Sequence, residues 1–150
     1  MLIISSDRLQ TITNHAENSY PRECCGLLLG TLGGETKTVV EVWPAENAWR
    51  EEAEEYWPEE NDLTEERRYA IAPELMLKAM KEGRERSLSI IGIYHSHPNS
   101  PAQPSEFDRL YAWPEYSYII VSVAGGETRE VLSWSLDDGH QFKSEEIVKN

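Results

Sequence analysis

The stretch Cys24–Thr31, CCGLLLGT, is a continuous apolar run closed by glycine. Such a run reads as a β-strand buried on both faces. Strand and helix patterns interleave around it. Met1–Ser5 reads as a first strand. Residues 6–19 follow a helical period, with Leu9, Ile12 and Ala16 on one face, a cap at Ser6 or Asp7, and Pro21 as the stop. Lys37–Val42 alternates and pairs with the buried strand across the turn LGGE. Pro73 suits the first turn of a helix over about 73–85, with Leu75, Met76, Ala79 and Met80 facing inward. Ser87–Tyr94 is a further strand, followed by a short helix near 105–113. Tyr116–Ala124 and Arg129–Leu136 are strands joined at Gly125-Gly126, and a last short strand falls near 141–148. The pattern predicts an α/β class with a mixed β-sheet flanked by helices.

The chain has 150 residues, 39% of them hydrophobic and five of them tryptophan, which suits one domain spanning 1–150. Only four apolar residues precede the polar ones at the N-terminus, and no stretch approaches the roughly 20 residues of a membrane span. A soluble, cytoplasmic protein is expected. The two cysteines, Cys24 and Cys25, are neighbours. Adjacent cysteines bridge only with strain, so they are expected to be small buried side chains in a reducing compartment. The net charge of −13 is concentrated: residues 51–66 hold nine carboxylates and no base, and the rest is mildly acidic. This surface repels phosphate backbones, so neither nucleic acid nor membrane is an expected partner. The acidic run itself is expected to be a solvated, irregular excursion at about 50–66.

Half of the four histidines stand together in IGIYHSHPNSPAQPSEFD, residues 91–108. Residues i and i+2 of a strand share a face, so His95 and His97 project side by side and Ser96 points the other way. Two imidazoles so placed can converge on one ion. Pro98 ends the strand and leaves the pair at its mouth. The loop NSPAQP then returns the chain towards Asp108. Ser105-Glu106-Phe107-Asp108 has the form of a helix capping box, in which Asp108 could serve only the first turn. Taken jointly, two nitrogens and one oxygen leave a fourth tetrahedral position open, which is the form of a catalytic zinc site. Peptide hydrolysis also needs a general acid/base, and 27 acidic residues make spacing alone indecisive. Glu23, immediately before the buried strand, can sit at a sheet end as the histidines do. The same position suits an ordinary surface carboxylate equally well. Gly26 would admit close approach of a neighbouring group.

PRECCGLLLG followed by GIYHSHPNSPAQPSEFD resembles the signature of the JAMM (MPN+) metallopeptidases: a glutamate before a Cys-Gly strand, then His-x-His-Pro, six residues, and Ser-x-x-Asp. The resemblance covers most of the chain and is weakest over 51–66. It implies a curved mixed sheet flanked by helices, similar to the cytidine deaminase arrangement. It further implies that His95, His97 and Asp108 hold one zinc ion, that Glu23 is the general acid/base, and that Ser105 donates to the oxyanion. The implied activity is hydrolysis of the bond after the C-terminal tail of a ubiquitin-like or sulfur-carrier protein. The short chain between Asp108 and Tyr116 lacks the long insertion of polyubiquitin-selective relatives, so a simple prokaryotic-type enzyme is implied. Two alternatives are a zinc hydrolase of a small amide and a non-catalytic MPN scaffold. A zinc deaminase is excluded, because its Cys-x-x-Cys ligand pair is missing.

Overall fold

The computed structural model describes residues 1–48 and 69–150, so the expectation for the acidic stretch lies outside the described residues. In chain order the elements are β1 (Leu2–Ile4), α1 (Ser6–Ser19), β2 (Cys25–Gly33), β3 (Thr36–Ala45), α2 (Pro73–Glu85), β4 (Ser89–Pro98), α3 (Glu106–Leu110), β5 (Ser117–Ala124), β6 (Glu127–Leu136), β7 (Phe142–Glu145) and β8 (Ile147–Lys149).

All the strands join one mixed sheet in the order β7-β6-β5-β4-β2-β3-β1-β8. The pairs β4–β5, β1–β3 and β1–β8 are parallel, and the others are antiparallel. The two edge strands are consecutive in the chain, with Glu146 alone between them. The sheet therefore curls until its edges approach at one end, giving a curved, nearly barrel-like sheet with helices on its faces. Lys37 on β3 spans part of this curl: its ammonium donates to Ser117 Oγ on β5 at 2.9 Å and lies 3.9 Å from Glu145 on β7.

The core divides by face. Leu28, Tyr94, Ile119 and Val121 pack with Ile12 and Ala16 of α1, while Leu27, Leu29, Ile93 and Tyr118 pack with Ala79 of α2. Alternate residues of β2, β4 and β5 thus serve opposite layers, which explains their apolar runs without a polar side. Gly26 pairs with Tyr94, and a Cβ there would lie 2.2 Å from the Tyr94 ring, so the glycine makes room for a phenol laid across it.

Four local expectations need correction. Ser5, not Ser6 or Asp7, caps α1, its hydroxyl accepting from Arg8 N–H at 3.2 Å. Met80 is 51% exposed, because Ala79 and Gly83 form the buried face of α2 and Met80 turns aside towards a groove. The short helix stops at Leu110 rather than about 113, well before Pro114. The terminal segment forms two strands instead of one, since residues on either side of Glu146 pair with opposite edges of the sheet.

Candidate active site and metal centre

β4 carries the centre of the site. Ile93, His95 and His97 share the α2 face, whereas Tyr94 and Ser96 face the α1 layer, as strand alternation requires. Across the ladder, Cys25 of β2 stands opposite His95. The backbone N–H of Cys24 donates to Ser96 Oγ at 2.8 Å, and Ser96 N–H donates to the Cys24 carbonyl at 3.2 Å. The residue before Cys24 is thereby tied beside the histidines. A second tie comes from Asn47, whose amide donates to the Glu23 carbonyl at 3.1 Å and accepts from Ala70 N–H at 3.1 Å. Glu23 is buried, and its carboxylate lies with ligand atoms of His95 and His97 inside a set no more than 4.8 Å across.

The other side of the site comes from α3. Ser105 caps it: its hydroxyl accepts from Asp108 N–H at 3.0 Å, and Asp108 Oδ2 accepts from Ser105 N–H at 2.9 Å. The same Oδ2 lies 3.2 Å from His97 Nε2 and 3.3 Å from His95 Nε2. The capping-box and ligand readings of Asp108 are therefore compatible, because one oxygen occupies both positions. The sequence-predicted residues Glu23, His95, His97, Ser105 and Asp108 all come together here.

The hydrogen bonding of the imidazoles suits a cation. His97 Nδ1 is 3.0 Å from the Pro101 carbonyl, an acceptor only, so this nitrogen carries the hydrogen. His97 Nε2 meets Asp108 Oδ2 at 3.2 Å, as an imidazolium donating its second hydrogen or, when neutral, as a lone pair that a cation must separate from the carboxylate. His95 is fully buried; among the described residues its Nδ1 has no hydrogen-bond partner and its Nε2 meets only the Asp108 carboxylate, at 3.3 Å. Unsatisfied buried nitrogens are rare unless an ion completes them. The residues present thus fit a metal ion of zinc's preference for nitrogen and carboxylate oxygen.

Burial holds the His95 pKa below the usual imidazole value, which favours the neutral, ligating form. Burial alone would raise the Asp108 carboxyl, but when His95 and His97 are protonated their charge and hydrogen bonds outweigh it and hold Asp108 well below the usual range. Burial pushes the Cys24 thiol up to about 12 and raises Cys25 as well, so neither supplies a thiolate nucleophile at neutral pH.

Three contributors were not picked out from the sequence. Ser96 was expected only to point away, although its place between two same-face histidines signals contact with the opposite layer. Asn47 and Tyr69 carry no local pattern at all. The Tyr69 ring stacks on His95 with centroids 4.4 Å apart and planes 21° from parallel. Tyr69 also lines, with Met76, Ile93, Phe107, Tyr111 and Tyr118, an apolar groove of about 520 Å³ between α2 and α3.

Residues 5–137 match the family described as prokaryotic homologs of the JAB domain. The chain is 31% identical over 142 residues to a desampylase of Haloferax volcanii, covering 91% of this chain and 90% of that one. It is 26% identical over 140 residues to a CysO-cysteine peptidase of Mycobacterium bovis, covering 93% and 85%. Among solved structures, a protein from Desulfitobacterium hafniense superposes with a TM-score of 0.80 at 26% identity, over 100% of this chain and 93% of the other. A JAB1/MPN domain protein from Archaeoglobus fulgidus shares the fold, with a TM-score of 0.56 at 18% identity over 99% and 100%. With matches spanning nearly its whole length, the chain belongs to the prokaryotic JAB-domain family and is a hydrolytic enzyme of the protease type.

Proposed function

We propose that this chain is a cytoplasmic, single-domain zinc peptidase that hydrolyses the bond after the C-terminal Gly-Gly tail of a ubiquitin-like or sulfur-carrier protein. The observation carrying the zinc assignment is the convergence of His95 Nε2 and His97 Nε2 on one oxygen of Asp108, at 3.3 and 3.2 Å, which puts two nitrogens and a carboxylate around one point. The names of the desampylase and CysO-cysteine peptidase relatives support the substrate class.

In this reading His95, His97 and Asp108 hold one zinc ion per chain, leaving a fourth position open. Zinc held there supplies Lewis acidity and makes water acidic enough to lose a proton near neutral pH. The Glu23 carboxylate lies with ligand atoms of both histidines inside a set no more than 4.8 Å across, close enough to hold an ion itself or to reach water on one, and in this reading it acts as the base. Glu23 takes the proton from the attacking water and returns it to the departing amine. Ser105 Oγ uses a lone pair on Asp108 N–H, which leaves its own hydrogen to donate to the developing oxyanion.

The tail is expected to enter as an extended chain with little side-chain bulk, held in register by main-chain hydrogen bonds to a sheet edge. The test compares cleavage of fusions ending in Gly-Gly with the same fusions ending in Val-Val, with the cut bond located by mass spectrometry. Gly-Gly should be strongly preferred. Equal rates would refute a narrow channel, and activity on small amides without cleavage of any protein tail would establish a small-amide hydrolase instead.

A further inference from the structure

The two histidines of the site are held in different ways. His97 is oriented by a hydrogen bond from Nδ1 to the Pro101 carbonyl, the usual arrangement for a metal-ligating imidazole. Among the described residues His95 Nδ1 has no such partner and its Nε2 meets only the Asp108 carboxylate, at 3.3 Å, although His95 is the more deeply buried of the two. An imidazole without a hydrogen bond is free to rotate about its last side-chain torsion unless packing prevents it, and that torsion is intrinsically broad. The packing present is a flat aromatic face: Tyr69, 4.4 Å away and within 21° of parallel. His97 offers a second ring at 5.0 Å, but tilted by 54°, so it bounds His95 without setting its plane.

We propose that Tyr69 is the positioning residue for His95, its stacked ring supplying the orientation that a hydrogen bond supplies to His97. The inference rests on the ligand assignment given under Proposed function. What matters is the ring and not the hydroxyl, because an aromatic face restrains the imidazole plane whatever its substituent. Tyr69 lies outside the family-like motifs, and it is brought to the site by the tie between Asn47 and Ala70, the residue next to it. It also forms part of the apolar groove, so it is the wall between that groove and the candidate metal centre.

Two measurements test this. Zinc affinity, read by competition with a chelator, should be unchanged in Tyr69→Phe and weakened roughly three- to tenfold in Tyr69→Leu, which keeps apolar bulk but removes the stack. His95→Ala is measured alongside. If His95→Ala binds zinc as tightly as the parent, the ligand assignment itself is wrong. If His95→Ala loses zinc but Tyr69→Leu does not weaken it, the positioning role is overturned. The second measurement needs no variant to fold. In the zinc-free parent protein, the His95 ring protons should show one set of NMR signals shifted upfield by the Tyr69 ring current. Signals averaged between ring orientations, or lacking that shift, would also overturn the proposal.

Discussion

Each residue of the site has its own expected signature. His95→Ala, His97→Ala and Asp108→Ala should weaken zinc by more than the roughly 10–100-fold that outer-shell changes cost, as measured by metal content and chelator competition. Glu23→Gln is nearly isosteric, so zinc content and melting temperature should hold while turnover falls roughly 10²-fold or more. Retention of near-parent activity would move the base to another carboxylate. The buried histidines also set a pH dependence. In the zinc-free protein, burial lowers the pKa of both His15 and His95, so the unfolded chain binds protons first as pH drops through about 6.5. Stability is therefore present above that pH and lost below it, by up to about 1.4 kcal/mol per pH unit for a fully buried group such as His95. Denaturant unfolding at pH 7.5 and 5.5 should show this loss, and zinc should steepen it, because a bound ion keeps the imidazoles deprotonated in the folded state while the unfolded chain takes up protons. The placement of the candidate ligands was legible in the sequence because strand alternation puts both histidines on one face and a capping box fixes Asp108 at the start of a helix. Tyr69 was not legible, because a stacking partner reached through a long connection leaves no periodic trace.

At the scale of elements, the site depends on how the end of β2 is fastened to the end of β4. Ser96→Ala removes the acceptor of the buried Cys24 N–H, at a cost of about 1–3 kcal/mol. Because Glu23 immediately precedes that anchor in the chain, turnover should fall further than zinc affinity does. A variant that lost zinc and activity in equal measure would show that Ser96 serves the histidines instead. The mixed α/β class and most elements were readable from apolar runs and turn glycines. Their ends were less so. β4 stops at Pro98, as the proline indicates, but it starts at Ser89 rather than Ser87, which sits in the left-handed region at φ 57°. Met80 was placed inward by helical period, yet Ala79 and Gly83 let α2 approach the sheet along a line that leaves Met80 beside it.

At the scale of the whole molecule, the curled sheet is joined where β7 meets β8, and its closure involves the part-buried Glu145. This carboxylate accepts from Ser133 Oγ at 2.9 Å and lies 3.9 Å from the Lys37 ammonium. Glu145→Ala should destabilise the fold by about 1–3 kcal/mol, since it leaves Lys37 with less compensation in a mostly buried position. Zinc affinity should be unaffected at this distance from β4. Parallel loss of both would mean that closure and the site are coupled. Closure was the part of the fold least visible in the sequence, because the segment after residue 141 reads as one weak strand. Pairing of its two halves with β6 and β1 depends on strands far away in the chain. The same nine residues that complete the curl also shield it from other molecules. A cut before Phe142 would uncover β6 and β1 at a stroke, presenting two ribbons of unpaired amides in place of two short, protected borders. A chain clipped there should self-associate, with light scattering rising before any loss of the histidine centre, which makes the tail a guard for the sheet's borders rather than for the chemistry.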